Sequence, residues 1–247
     1  SRPALNTEDH YGYIIGYPDG TVQPGGSITR AEVATIFFRM LTDSSRTEFW
    51  SQTNSFSDVP STAWFNNAVS TLTKAGIIAG YEDGTFQPNA TITRAEFATI
   101  AVRFFEASYD GKDFFTDIDG HWAQQYINDA ANAGLVNGYE DGTFGPNKAI
   151  TRAEAMTLVN RALDRHPDAD HFLKDMITWP DNSDTTAWYY EAVQEATNSH
   201  EYTMKTNTDK TKYENWTKML KMRDWKAFEA AWSDANSASN PGEVMGK

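Results

Sequence analysis

GYPDGTVQPGGSITRAE at residues 16–32, GYEDGTFQPNATITRAE at 80–96 and GYEDGTFGPNKAITRAE at 138–154 are three copies of one cassette, with the interval from the leading glycine to the arginine unchanged. The Asp-Gly pairs at 19/20, 83/84 and 141/142 predict a tight turn, because glycine takes positive φ without steric cost and aspartate hydrogen-bonds the backbone ahead of it. Thr29, Thr93 and Thr151 stand three residues before Glu32, Glu96 and Glu154 and ahead of an apolar run. That is the pattern of a capping box, so a helix starts at each threonine. Arg30, Arg94 and Arg152 then fall in the first helical turn, beside unpaired N–H groups and the positive end of the dipole, where a cation costs about 0.3–1 kcal/mol. Helix stability alone does not select arginine there.

Working outward, each of the second and third cassettes is preceded by the same material. FSDVP at 56–60 leads to an amphipathic run with Trp64, Phe65, Val69 and Leu72, ended by Gly76 as a C′ residue; FTDID at 115–119 leads to Trp122, Tyr126 and Ile127, ended by Gly134. After each cassette an apolar helix follows, at 28–41, 94–106 and 152–163. The repeat is about sixty residues long. The first copy lacks its leading helix, and WPDNSDTTAWYYEAVQEAT at 179–197 is an opening half with no cassette after it, Asp181 and Trp188 taking the places of Asp58 and Trp64. The C-terminal half-repeat is therefore expected to close against the N-terminal one, giving three pseudo-equivalent lobes.

The expected fold is mainly α, a pseudo-threefold arrangement of three helix-loop-helix repeats around a central helical bundle. Residues 1–204 form this domain, as a half-repeat at 11–55, repeats at 56–114 and 115–170, and a closing half-repeat at 171–204. Residues 42–55 read as a polar connector. Residues 205–247 read as a helical extension carrying Trp216, Leu220, Trp225, Phe228 and Trp232 against the lobes, frayed from 236 onward.

With 247 residues, 40% apolar and 13% aromatic, the chain can bury a core, and its net charge of −13 argues against nucleic acid and anionic membrane surfaces as partners. No apolar run is long enough for a membrane span. The chain opens on Ser1, which reads as a mature or excised fragment with any export signal upstream. There are no cysteines. The histidines His10, His121, His166, His171 and His200 stand singly in sequence, without an H-E-x-x-H arrangement, and the paired acids of the turns fall short of the six to eight oxygens a calcium site needs. Neither a metal nor a cofactor is expected. The repeated acids have structural tasks, and catalytic carboxylates need a unique cleft, so no enzyme activity is expected.

The three arginines remain. An arginine among free N–H groups makes an anion site that fits a carboxylate bidentately; the alternative is a salt bridge to a neighbouring lobe's acid such as Asp58 or Asp117. Trp64, Trp122 and Trp188 read as core from their helical spacing, while Tyr17, Tyr81 and Tyr139 beside the turns are open to either role.

The pattern FxDV, W, AG(I/L)(I/V), GYxDGTFxPxxxITRAE resembles the S-layer homology repeat of Gram-positive surface proteins of clostridial type. The units at 56–105 and 115–163 match throughout and those at 11–41 and 179–200 in part. The resemblance implies a monomeric, pseudo-trimeric domain in the cell wall or S-layer that anchors exported proteins without covalent bonds. It implies as partner a secondary cell-wall polymer carrying a pyruvate ketal on an amino sugar, typically N-acetylmannosamine. The ketal carboxylate would be held by Arg30, Arg94 and Arg152, with Asp58, Asp117, Tyr17, Tyr81 and Tyr139 contacting sugar hydroxyls. The alternative is a self-assembling surface protein whose arginines form inter-lobe salt bridges. Trp179 and Asn182 depart from the pattern, which leaves the groove beside Asp181 different or idle.

Overall fold

The structure is a computed structural model that describes residues 1–236. Among these the chain is mainly helical, with α1 (Arg30–Met40), α2 (Asp43–Phe49), α3 (Asn66–Lys74), α4 (Arg94–Val102), α5 (Gln124–Asn132), α6 (Arg152–Ala162), α7 (Tyr190–Thr197) and α8 (Trp225–Asn236), plus a hairpin of β1 (His200–Thr206) and β2 (Lys212–Met219). The three cassettes fold alike. In each the aspartate-glycine turn closes with the glycine N–H on the tyrosine carbonyl, at 2.9, 3.1 and 3.0 Å for Gly20, Gly84 and Gly142. Those glycines sit at φ of 83°, 83° and 86°. Thr29, Thr93 and Thr151 each accept from the N–H of Glu32, Glu96 and Glu154 while the glutamate reaches back to the cap, so all three capping boxes form.

The cassettes are joined in a cycle of backbone bonds. Arg30 N donates to Ala90 O (2.9 Å), Arg94 N to Lys148 O (2.9 Å) and Arg152 N to Gly26 O (2.8 Å); Ala31, Ala95 and Ala153 donate one residue further on to Pro88, Pro146 and Pro24. Each helix start thus finds its missing acceptors on the next cassette's loop, which answers the orphan-donor problem of a buried helix end. The cassette isoleucines Ile28, Ile92 and Ile150 are buried at the centre of this cycle.

The leading helices α3 and α5 end in Schellman closures: Ile77 N bonds Leu72 O and Gly76 N bonds Thr73 O, and Leu135 and Gly134 repeat this on Ala130 and Ala131. The glycine that opens each cassette is required by close approach rather than by its φ. A Cβ at Gly80 would lie 2.3 Å from the Phe56 ring, one at Gly138 2.3 Å from Phe115, and one at Gly16 2.1 Å from Trp179. Trp179 therefore does for the first cassette what the phenylalanines do for the other two, across a gap of more than 150 residues in sequence. Asp181 agrees, accepting from Val22 N (3.0 Å) and Gln23 N (2.7 Å), as Asp58 accepts from Phe86 and Gln87 and Asp117 from Phe144 and Gly145. Asn182, in the place of Val59, is buried and bonded to Gln194.

Four expectations are corrected. Residues 42–55 are not simply a connector, because Thr42 caps the short helix α2 through Ser45 N. Helix α4 stops at Val102 rather than running to 106, its end tightening as Phe104 N bonds Ala101 O and Phe105 N bonds Val102 O, which turns Phe104 onto Phe37. Residues 205–219 are strand rather than helix. Asn207 N bonds Thr211 O, Lys210 takes φ of 70°, and the Tyr/Thr-rich arms at 200–206 and 212–219 pair antiparallel. Trp122 and Trp188 are not core but 61% and 66% exposed, whereas Trp64 at the same place in its repeat packs against the core. The frayed end expected from 236 lies, beyond Asn236, outside the described residues. No helix among the described residues is long and apolar enough to cross a membrane.

Candidate functional site

The arginines of the cassettes sit between repeats, and their surroundings differ from those of an open anion site. Arg94 Nε donates to Phe144 O (2.6 Å), Nη2 to Asn137 O (2.9 Å) and Nη1 to Glu154 Oε2 (2.6 Å), with its guanidinium 4.7 Å from the Tyr139 ring centre and 4.6 Å from that of Phe144. Arg30 repeats this on Phe86 O, Ala79 O and Glu96, over Tyr81 and Phe86. The salt bridge is inter-repeat, but the acid is the next cassette's Glu, not Asp58 or Asp117. A carboxylate has two oxygens, and Glu96 and Glu154 use one for the capping box and the other for the arginine. The first-turn N–H groups expected around each arginine for an anion are taken by the neighbouring loop, so the helix starts offer no such site.

Asp58 and Asp117, expected against sugar hydroxyls, hold the backbone of the cassette turn with both oxygens. Tyr81 and Tyr139 are 40% and 39% exposed, and Tyr17 is half-buried. Tyr81 donates to Glu96 Oε2 at 2.7 Å. Burial first, and then that bond, pushes its phenol up to about 12. Arg152 is fully buried, with Nε on Val22 O (3.0 Å) and its guanidinium 4.6 Å from the Tyr17 ring centre. Burial pulls its pKa down, and the charges of Tyr17 and Glu32 oppose this.

A concavity lies between the repeats at Arg30. It has a volume of about 580 Å³ and is lined by Tyr81, Glu96, Arg103 and Trp122 together with Arg30. Arg103 is the residue that cassette reading passed over. Its Nη1 donates to Ile77 O (2.9 Å), its guanidinium lies 5.2 Å from the Tyr126 ring centre, and it has no ion-pair partner among the described residues. A signal for it existed: Arg39, Arg103 and Arg161 each follow a cassette arginine by nine residues. Arg161 is close enough to Arg94 for the two cations to oppose each other, a smaller effect than burial. Arg39 pairs with Glu229 of α8 and lies beside the Trp225 ring. Among the described residues, then, the groove gathers Arg103 without an ion pair, an exposed indole and a phenol, with Glu82 and Glu96 also in its lining.

Comparison with known proteins places these repeats. A family model described as the S-layer homology domain matches residues 10–34, 55–98 and 114–156, the first match short where the leading half is displaced to the C-terminal side. The chain is 35% identical over 207 residues to a cellulosome-anchoring protein of Acetivibrio thermocellus, covering 81% of this chain and 45% of that one. It is 40% identical over 173 residues to cell surface glycoprotein 1 of the same species, covering 64% of this chain and 7% of the relative. To an S-layer protein of Bacillus licheniformis it is 34% identical over 156 residues, covering 60% and 17%. The chain spans less than half the length of these relatives. With the cassette and the capping box present in all three matched segments, this chain carries three S-layer homology repeats.

Proposed function

We propose that this chain is a non-catalytic module that anchors its protein to the cell wall, outside the cell, by binding an acidic secondary cell-wall polymer in grooves between repeats. The module is residues 1–204, a pseudo-threefold monomer whose first repeat is completed by α7; of the expected 205–247 extension, the described residues 205–236 pack on it. The observation that carries the reading is the groove at Arg30, where Arg103 offers a guanidinium without an acidic partner among the described residues, next to exposed Trp122 and Tyr81. A carboxylate on a sugar, such as a pyruvate ketal, suits that pairing. The guanidinium takes the charge and the indole face takes the ring. Relatives named as enzymes match over a small part of their length, 8% for the amylopullulanase of Thermoanaerobacterium thermosulfurigenes and 15% for an endoglucanase of a Bacillus species, which fits a shared anchor attached to varied catalytic parts. Calorimetric titration of purified polymer with and without its pyruvate groups tests this. Binding only to the pyruvylated form is expected; equal binding to both contradicts the carboxylate role.

A second reading is favoured for Arg30 and Arg94 themselves. Their ion pairs with Glu96 and Glu154 make them struts between repeats, with the ligand's anion held chiefly by Arg103. Under that reading Arg94→Ala lowers the melting temperature more than it lowers affinity, whereas Arg103→Ala does the reverse.

A further inference from the structure

Far from the groove, four titratable side chains from four stretches meet in the interior. His10 comes from the N-terminal segment, Glu195 from α7, His200 from β1 and Glu214 from β2, and all four side chains are fully buried. One ligand atom from each lies within 4.8 Å of the others. His10 Nδ1 and His200 Nε2 each stand 2.8 Å from Glu214 Oε1, while Glu195 Oε2 is 3.1 Å from His200 Nε2 and 3.6 Å from His10 Nδ1. Around a tetrahedral zinc with bonds of about 2.0–2.1 Å, ligand atoms are about 3.3 Å apart, so these four separations straddle the required one.

Protein hydrogen bonds leave the set incomplete. His200 Nδ1 lies 3.0 Å from Asn198 O, a contact that requires its proton and in the neutral ring leaves Nε2 as a lone pair, facing two carboxylate oxygens. Even a protonated Nε2 has one hydrogen, which cannot serve both Glu214 and Glu195. Both oxygens of Glu195 and Nε2 of His10 are buried without a hydrogen-bond partner among the described residues. Arg165, the nearest other cation, is 3.6 Å from Glu195 and donates instead to Tyr11 O. Arg165 thus gives Glu195 a nearby charge but no hydrogen bond, and a buried carboxylate without donors is costly. The remaining contacts are those of a supporting shell: Asn198 O orients His200, and His166 N donates to Glu214 Oε2 at 2.6 Å.

We propose that His10 Nδ1, His200 Nε2 and an oxygen from each of Glu195 and Glu214 bind a divalent metal ion of the zinc type. Two imidazoles with two carboxylates suit zinc better than calcium, which prefers oxygen alone. Four protein ligands leave no open position, so the site is structural. It ties the hairpin and the N-terminal segment to α7, the element that closes the first repeat. The spacing of single histidines in sequence could not reveal it, since His10 and His200 are 190 residues apart.

The test uses the full chain, purified without chelator for metal analysis, then stripped and titrated with Zn²⁺, Co²⁺ or Ca²⁺. About one zinc per chain is expected, with a melting temperature that rises with Zn²⁺ and not with Ca²⁺. Co²⁺ should give the visible absorption of a four-coordinate ion, lost in His10→Gln and in Glu195→Gln. A stripped chain that melts unchanged with Zn²⁺ and gives no Co²⁺ spectrum overturns the proposal. So does a Co²⁺ spectrum that survives in folded His10→Gln, since exposed histidines would then be the ligands. If the variants do not fold, the wild-type metal content and spectrum decide.

Discussion

Arg94 and Arg152 occupy the same position of the same motif, yet the junctions they fill differ. Arg94 lies between the Tyr139 and Phe144 rings and reaches the edge of the molecule through Glu154, whose side chain is 20% exposed. Arg152 has Tyr17 on one face, but Val22 stands where the phenylalanine would be, and it is fully buried. The partner nine residues on differs as well. Arg103 is open to a groove, whereas Arg39 of the first repeat is held by Glu229 under α8. The junction assembled from the two ends of the chain is thus built as a seam, while the continuous junction at Arg30 keeps a face available. A repeated motif fixes backbone and capping; access depends on what the rest of the chain lays over it.

The largest expected effect lies in the seam. Trp225 is 1% exposed, and its Nε1 donates to Gly12 O at 2.8 Å. Trp225→Ala should cost about 3–5 kcal/mol by chemical denaturation; a loss below about 1 kcal/mol, the size of an ordinary substitution, would remove the seam from the comparison. Next, Arg94→Ala should cost about 2–3 kcal/mol, since it abandons three charge-assisted bonds. Arg94→Lys should recover only part, because an ammonium cannot span the same acceptors. Asp117→Ala and Asp181→Ala should each cost about 1.5–3 kcal/mol by the loss of two backbone N–H bonds to a carboxylate. Equal costs would show that the aspartate clamp is common to both kinds of junction, and a negligible cost for Asp181 would separate them further. At the small end, Trp122→Ala should change stability by no more than about 0.5 kcal/mol, being an exposed position, while weakening polymer binding.

Much of this was legible because it is local. Asp83-Gly84, Thr93 with Glu96, and Gly76 specify a turn, a helix start and a helix stop within a few residues, and each does so in the structure. The split repeat was legible from the missing leading helix of the first copy and from the stretch at 179–197, where Asp181 and Trp188 open a half-repeat that no cassette follows. What stayed hidden depends on contacts across long separations. Glu96 was read as a cap, and its second oxygen, on Arg30 66 residues away, has no sequence signal. The helix-start anion site failed for the same reason, its donors being claimed by Ala90 and Pro88. Trp122 and Trp188 satisfied helical spacing but precede their helices, and since Trp64 does so too yet packs on the core, spacing alone could not tell exposed from buried. The hairpin was missed because its aromatic residues were read as a helix face; the alternating Thr/Tyr pattern with Asp209-Lys210 between the arms was the better guide.

The central claim is that the groove between continuous repeats takes the anion through Arg103. Its most direct test is calorimetric titration of a monovalent pyruvylated sugar, which avoids the masking that several sites on one polymer would bring. Wild-type protein and Arg103→Ala are compared at equal melting temperature. A loss of at least about tenfold in affinity, about 1.4 kcal/mol, is expected for Arg103→Ala. Unchanged affinity in Arg103→Ala, with loss in Arg152→Ala alone, would contradict the account and return the ligand to the seam.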